Sequence, residues 1–255
     1  MRALPLALAA ALLGACAPEA PGGAGAASEP LLELDHLFVI VPDPAEAVAA
    51  LATAGITVDE TSVMRHDGSG TASLGAMFDN AYLELLWADS TVSIAEGAEE
   101  DVAKFPAASR WQAGGPSPFG IGLRRADPDV GPLPYAGEAV EGEAWVEEGE
   151  TFFVFDTEDG EVSAFVVPPY MAVPSWVDEL RADVPEAFDH PAGVAVLSGV
   201  VLRGTAGPQS VVEAGLEGVV FDSADEAPLL ELTFDGGAEG VTQDLRPALP
   251  VVIRR

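Results

Sequence analysis

Apolar and polar residues alternate over residues 32–41, in the stretch LELDHLFVIV. A period of two is typical of a strand, because successive side chains point to opposite faces. The predicted apolar face carries Leu32, Leu34, His36, Phe38 and Ile40. A helix is predicted next, since Asp43 fits the N-cap, Pro44 the first helical position and Glu46 the end of an Asp-x-x-Glu capping box. Gly55 is predicted to end this helix.

Three more strands are predicted before residue 90. They cover residues 56–63, the stretch SLGAMFDN and the stretch AYLELLWAD. The glycine-rich stretch RHDGSGTAS is predicted to be a loop between the first and second of them. The predicted order of this part of the chain is therefore β-α-β-β-β.

A weaker echo of this order follows near the end of the chain. The pattern predicts a strand in VAVLSGVVLRG, a short helix in GPQSVVEAG that ends at Gly215, and strands in EGVVFDSA and PLLELTFDGG. Between the two parts, SPFGIGLRRADPD and TFFVFDTEDGEVSAFVVPP resemble strands, and VPSWVDELRADV resembles a helix. The acidic segment 138–150 is predicted to be an exposed connection. A second unit could start at the strand around Gly199 or at Phe119–Arg125, and the pattern leaves both starts open.

The charge of the chain restricts its partners. It has 42 acidic and 11 basic residues, which give a formal net charge of -31. Such a surface repels phosphate backbones, so no nucleic-acid partner is expected. Solubility in a salty habitat explains the acidity, and attraction of cations is the weaker alternative. Hydrophobic residues form 49% of the 255 residues, which is enough for a packed core.

The N-terminus has the pattern of an export signal. Arg2 precedes an apolar run that is too short to span a bilayer, and small residues lead to Cys16, the only cysteine. LGAC at 13–16 resembles the lipobox of bacterial lipoproteins, which implies removal of residues 1–15 and acylation of Cys16. The alternative is a plain secreted protein. Residues 16–30 are predicted to be a flexible tether. By analogy with lipoprotein sorting, Ala17 favours anchoring to the outer membrane of the cell envelope.

Five segments carry a family resemblance. LDHLFVIVPDPAEAVAAL, RHDGSGTASLGAMFDNAYLELLWAD, SPFGIGLRR, HPAGV and LRPALP, in this order, resemble a glyoxalase-like domain of the vicinal oxygen chelate superfamily. The resemblance implies an α+β fold over residues 31–255. It implies paired βαβββ modules of the glyoxalase, bleomycin-resistance and dioxygenase type, at about 31–90 and 118–255, with a degenerate second module. Kinship of fold does not by itself fix a function.

The resemblance also implies a cup that holds one divalent metal. His36 matches the metal ligand of the first strand, and Glu84 matches the ligand of the last strand of the first module. A carboxylate among apolar side chains is costly unless it is paired or bound to a cation. Imidazole nitrogen and carboxylate oxygen suit zinc, iron, manganese or nickel. The alternative is a hydrogen-bonded pair that remains from an ancestral metal site.

The second half of this metal site is incomplete. Gly199 or Gly120, depending on where the second module starts, stands where a histidine is expected. Glu231 supplies a carboxylate only if its strand is the last one of the module. Sites with missing ligands commonly bind metal weakly or not at all.

Three other residues are candidates for the wall of a substrate pocket. Tyr82 shares a strand face with Glu84, and His66 lies in the glycine-rich loop, which could close the cup. His190 begins HPAGV, which is similar to the His-Pro-Asn-Gly turn of the family. The alternatives are a solvated loop histidine for His66 and a histidine bonded to backbone for His190.

Three functions are carried forward. The first is binding of a small organic molecule in the cup by a lipid-anchored protein, with no catalysis implied. The second is a metal-dependent lyase, isomerase or dioxygenase that uses His36 and Glu84, with Glu84 as the candidate catalytic group. The third is a non-catalytic surface interaction protein whose cup is vestigial. An open apolar cup favours the first, a third metal ligand the second, and a filled cup the third.

Overall fold

The computed structural model describes residues 30–96, 103–113, 115–141, 146–158, 160–224 and 226–255. The expected signal peptide at 1–15, the acylated Cys16 and all of the tether except residue 30 lie outside the described residues. Among the helices that are described, none has the length and hydropathy needed to cross a membrane.

The first unit of the chain has the predicted β-α-β-β-β order. Its elements are β1 (Leu32–Ile40), α1 (Pro44–Thr53), β2 (Met64–His66), β3 (Thr71–Met77) and β4 (Tyr82–Ala88). The side chain of Asp43 caps α1, as predicted, by accepting hydrogen bonds from the backbone N–H groups of Ala45 at 2.9 Å and Glu46 at 3.3 Å. The chain leaves α1 at Gly55, whose φ of 75° suits glycine.

The strand predicted over residues 56–63 is wrong. This stretch is a loop, and the second strand is the shorter β2. Asp59 explains the difference, because its carboxylate accepts hydrogen bonds from the backbone N–H of Thr61 at 3.0 Å and from the hydroxyl of Ser62. Such bonds fold the backbone into a turn and remove it from strand pairing.

A second unit pairs with the first in one sheet. Its strands are β5 (Phe119–Arg125), β6 (Gly137–Glu141), β7 (Thr151–Phe155) and β8 (Ser163–Val166). The eight strands lie in the order β2-β3-β4-β1-β5-β8-β7-β6, and β1 runs antiparallel to β5. Residues 126–136 between β5 and β6 form no helix, so this module is degenerate. The acidic segment begins as a strand, since Gly137–Glu141 pairs with β7, and its residues 142–145 lie outside the described part.

The rest of the described chain forms three helices and a second sheet. These elements are α2 (Phe105–Ala108), α3 (Val173–Asp183), β9 (Leu197–Arg203), α4 (Gln209–Ala214), β10 (Val219–Asp222), β11 (Leu229–Phe234), β12 (Thr242–Asp244) and β13 (Val251–Arg254). The second sheet has the order β10-β9-β11-β13-β12. The second module therefore starts at Phe119 and its sheet strands end at Val166, not at residue 255. The segment around Gly199 repeats only the β-α-β order of the first module. In this segment β10 pairs directly with β9, whereas in the first module β3 and β4 lie between β2 and β1.

One buried core joins the two sheets. Along β1 and β4 the residues Leu37, Val39, Leu83 and Leu85 lie in this core, together with Leu202 and other side chains of the second sheet. Since neighbouring residues of a strand face opposite ways, the alternate residues of β1 and β4 face the other side of the large sheet. That side is where the cavity described below lies.

A bulge interrupts the alternation that the sequence predicts along β1. The register of β1 against β5 shifts between Leu34 and His36, which leaves Asp35 as the extra residue. The bulge lets two consecutive side chains meet, since Asp35 Oδ1 lies 2.9 Å from His36 Nδ1. Leu32, Leu34 and His36 consequently do not share one regular face, and Leu32 belongs to the core.

Glu231 does not lie in the large sheet, so it cannot complete a metal site there. It is on β11, and its carboxylate binds Arg203 at 2.6 Å and Arg254 at 2.9 Å, one arginine from each neighbouring strand. Burial raises the pKa of Glu231, but its hydrogen bonds with the two arginines outweigh burial and hold that pKa below its usual value. Glu231 is a structural ion-pair partner between strands.

Two glycines of β5 make room for rings that stand on β1. A Cβ atom at Gly122 would lie 2.1 Å from His36 Cε1, and one at Gly120 would lie 1.9 Å from the ring of Phe38. These distances are far below van der Waals contact, so each ring lies directly over a glycine backbone. The pairing of β1 with β5 therefore depends on residues without side chains at these two positions.

We expect Gly122→Ala to lower the free energy of unfolding by about 1–3 kcal/mol, because its methyl group must displace a His36 ring that Asp35 holds in place. Gly131→Ala is the control, since a Cβ atom there meets nothing within 4 Å. It should be neutral or slightly stabilising. Urea unfolding followed by circular dichroism measures both variants. Equal stability of the two would show that the His36 ring does not occupy the space over Gly122.

Candidate functional site

A cavity of about 850 Å³ opens on the face of the large sheet that carries His36 and Phe38. Most of its wall is apolar or aromatic, from Phe38, Met77, Leu86, Phe105, Phe152, Phe165, Val167, Tyr170, Met171, Trp176, Leu180, Val184 and Ala187. Its polar groups include His36, His66, Tyr82 and Glu84. Strands of both modules and helix α3 thus form one cup.

His36 is held in the floor of the cup by contacts on several sides. The ring is 3% exposed, it donates from Nδ1 to Asp35 Oδ1 at 2.9 Å, and it stacks on Tyr82 with 4.5 Å between the ring centroids. The ring of Phe165 packs against it at 5.4 Å. Among the described residues, the hydrogen bonding of His36 uses Nδ1 alone. The imidazole therefore has a fixed orientation, with Nε2 available to a ligand.

Asp35 connects His36 to the helix that covers the cup. Its Oδ2 accepts a hydrogen bond of 2.8 Å from the backbone N–H of Val173, the first residue of α3, and lies 3.8 Å from Arg124 Nη1. A carboxylate at a helix N-terminus satisfies a backbone donor that has no partner within the helix. The buried charge of Asp35 is thus shared among a histidine, a helix end and an arginine.

Glu84 faces the cup from β4 and is paired with His66. The Nε2 atom of His66 lies 3.5 Å from Glu84 Oε1 and 3.0 Å from Ser73 Oγ. Burial raises the pKa of Glu84, but the hydrogen bond from His66, the attraction of His36 and the hydroxyl of Ser73 outweigh burial. The pKa of the Glu84 carboxyl consequently lies below its ordinary value, and the group is ionised at neutral pH.

Tyr82 brings a phenol to the same wall. Burial, with the negative charges of Glu84 and Asp35 as further causes, raises the pKa of Tyr82 well above its ordinary value. The phenol stays protonated, so its hydroxyl can donate a hydrogen bond to a ligand. Trp176 of α3 meets the Tyr82 ring edge-on, with 5.9 Å between the centroids.

The structure brings together four of the six residues that the sequence nominates for metal or pocket. His36, His66, Tyr82 and Glu84 all line the cup. His190 does not, because its Nδ1 accepts from the backbone N–H of Thr57 at 3.0 Å and its Nε2 donates to the carbonyl of Met77 at 2.8 Å. Desolvation lowers the pKa of His190, in keeping with this buried position between backbone groups. His190 therefore matches the alternative of a histidine bonded to backbone and does not line the cup, and Glu231 lies in the other sheet.

The residues of the cup do not fit a metal held by both modules. In the first module, Glu84 pairs with Phe38, which follows His36 on the same strand. If Gly120 corresponds to His36, then Gly122 corresponds to Phe38. The residue that pairs with Gly122 is Phe165, which therefore corresponds to Glu84. The counterparts of His36 and Glu84 are therefore a glycine and a phenylalanine, which have no side-chain donor. Across the described residues, no three His, Cys, Asp or Glu side chains are grouped so that they could hold a metal ion.

Sequence reasoning missed Asp35 and Phe165, and it did not include Trp176 among the candidate site residues. Asp35 was placed on the opposite face from His36 by strict alternation, and only the bulge brings the two together. Phe165 and Trp176 enter the cup through the pairing of β8 with β5 and the docking of α3. The one signal in the sequence was the pair of consecutive polar residues Asp35-His36 inside an apolar strand.

Comparisons with known proteins identify the family of this chain. A search of curated proteins found no match. Among solved structures, a hypothetical protein from Staphylococcus aureus is similar at 12% identity with a TM-score of 0.47, and the match covers 88% of this chain and 99% of that one. The sequence pattern of the family described as "Glyoxalase-like domain" matches residues 34–217, which include both modules of the large sheet. This chain therefore belongs to the glyoxalase-like domain family.

Proposed function

We propose that this protein is a lipid-anchored protein of the bacterial cell envelope whose glyoxalase-like domain binds a small organic molecule in the cup. The observation that carries the proposal is the cavity of about 850 Å³. Pockets for small molecules typically measure roughly 300–1,000 Å³ and combine an apolar wall with a few polar groups.

The distribution of polar groups supports a ligand with two different ends. His36, His66, Tyr82 and Glu84 come from β1–β4 and lie on the side of the first module. The wall contributed by the second module and by α3 is mainly hydrophobic, with Phe165, Val167 and Leu180 among its residues. A molecule with an apolar body and one polar end satisfies both sides.

The open cup also bears on the other functions. A surface interaction protein with a vestigial cup needs no cavity, and here the side chains leave one of ligand size. A metal-dependent enzyme needs further donors beside His36 and Glu84, and the counterparts in the second module are glycine and phenylalanine. Binding without catalysis is the function that needs the fewest groups beyond those present.

The support for the lipid anchor comes from the sequence alone. The apolar run, the small residues and the single cysteine at position 16 have the order of a lipoprotein signal. A tether of Pro, Gly and Ala after Cys16 would let the domain stand away from the membrane.

The binding test uses the neutral dye N-phenyl-1-naphthylamine, which becomes brighter in apolar sites. The full chain carrying Cys16→Ser should bind it saturably, because this chain keeps every cup residue and lacks the acylation site. Leu86→Trp, which fills the cup from β4, should abolish saturable binding, and so should Leu180→Trp from α3. Val220→Trp is the control, since Val220 is 53% exposed and lies outside the cup. Saturable binding that survives both closing variants would contradict the proposal.

For the anchor, Cys16→Ser should move the protein from the membrane fraction to the soluble fraction of cells, because the thiol is the site of acylation. Carbonate extraction followed by immunoblotting measures the distribution. Ser28→Ala in the tether is the matched control and should stay in the membrane fraction. Membrane fractionation of Cys16→Ser like that of the unchanged chain would rule out the lipid anchor.

A further inference from the structure

We propose that the cup binds a planar aromatic molecule that carries a hydroxyl group, and that it does so without a metal ion. This inference rests on the proposed small-molecule function and names the chemical class of the ligand. The positions of the second module that lack metal ligands are the first observation in its support.

The positions of the second module that would complete a metal site hold either an aromatic residue or a glycine that leaves space for a ring of the first module. Gly120 and Gly122 leave space that the rings of Phe38 and His36 occupy. Phe165 takes the position that corresponds to Glu84, and it packs on the His36 ring. Where the second module would supply metal ligands, the cup therefore has aromatic rings.

The ionised group of the first module already has a partner. His66 lies 3.5 Å from the Glu84 carboxylate, and Ser73 provides a further hydrogen bond. A buried carboxylate that is paired in this way does not need a cation to offset the loss of hydration. The charge of the Glu84 carboxylate is therefore offset by side chains of the protein itself.

Aromatic rings pack against one another in the wall of the cup. Phe38 and Phe165 lie nearly parallel, at 22° with 6.4 Å between centroids, and Phe152 meets Phe165 edge-on at 75°. Next to them, Tyr82 stacks on His36 at 17° and meets Trp176 at 65°. Aromatic rings prefer offset-stacked and edge-to-face contacts, so a wall built from rings favours a flat aromatic ligand over an aliphatic one of the same size.

A hydroxyl group matches the polar atoms next to these rings. Tyr82 can donate a hydrogen bond, and the Glu84 carboxylate can accept one. A hydroxyl on the ligand both accepts and donates, so one group can satisfy a donor and an acceptor of the cup. A ligand without such a group would leave buried polar atoms unsatisfied.

The test compares 2-naphthol with decahydro-2-naphthol, its saturated counterpart, by isothermal titration calorimetry. The protein is the full chain carrying Cys16→Ser. We expect 2-naphthol to bind roughly tenfold more tightly than the saturated alcohol, because several ring contacts contribute. We expect excess EDTA or equimolar zinc chloride to change its affinity by less than about twofold, since no metal takes part.

Variants of two phenylalanines test whether the preference for the aromatic alcohol depends on the ring of Phe165. Phe165→Leu should weaken 2-naphthol by about fivefold and leave the saturated alcohol nearly unchanged, because it removes one ring contact. Phe153→Leu is the control, since Phe153 lies on the same pair of strands but outside the cup. It should change neither affinity. If Phe165→Leu weakened the binding of both alcohols, and Phe153→Leu weakened it to the same extent, the cause would be a general effect on stability. That result would contradict the assignment.

The remaining outcomes separate this inference from the proposed function. Equal affinity for the two alcohols, or 2-naphthol binding that requires zinc, overturns the aromatic, metal-free assignment and leaves the cup as a small-molecule site. Binding of neither alcohol by a protein that binds N-phenyl-1-naphthylamine also overturns it. A protein that binds neither the dye nor the alcohols overturns the proposed function itself.

Discussion

The antiparallel pairing of β1 with β5 runs through the centre of the large sheet. It joins the two modules into one sheet of eight strands, and the cup exists only because both modules share that sheet. The pairing places Gly120 and Gly122 under the rings of Phe38 and His36, so the two strands approach closely beneath two rings that line the cup. A side chain on either glycine would move a ring of the floor. The same backbone contact therefore sets the architecture and the shape of the site.

Charge is organised around this seam in two separate pairs. Asp35 and His36 form one, and the helix end of α3 and Arg124 share the charge of Asp35. Glu84 and His66 form the other, with Ser73 between their strands. Each carboxylate is satisfied by protein groups, which allows ionisable residues to lie in an otherwise apolar cup. Asp35 therefore contacts both the imidazole of His36 and the first residue of α3.

Local patterns in the sequence predicted much of the first module. Alternation predicted β1 and β4, and Asp43 and Gly55 predicted the bounds of α1, because these signals act within a few residues. The loop at Asp59 was missed, since a side-chain hydrogen bond overrode a pattern that resembles a strand. The extent of the second module was missed for another reason. Local order in β9, α4 and β10 resembles that of the first module, but strand pairing is long-range and places these strands in a separate sheet.

The candidate site was predictable to a similar degree. His36 and Glu84 share the cup because both lie on one face of parallel neighbours, as the family resemblance implied. Asp35 required a bulge, and Phe165 and Trp176 required tertiary docking, so no periodicity could reveal them. The alternatives for Glu231 and His190 stayed open in the sequence because a buried charge or imidazole signals a partner without saying which one.

Contact of an aromatic ligand with the protein side chains, with no metal between them, can be seen in a crystal structure of the Cys16→Ser chain grown with 2-naphthol and zinc chloride together. We expect electron density for a flat ring against Phe165, with its oxygen within hydrogen-bond distance of Tyr82 or Glu84 and no anomalous zinc signal in the cup. An anomalous peak bound by both His36 and Glu84, with the alcohol oxygen on the zinc, would contradict this expectation.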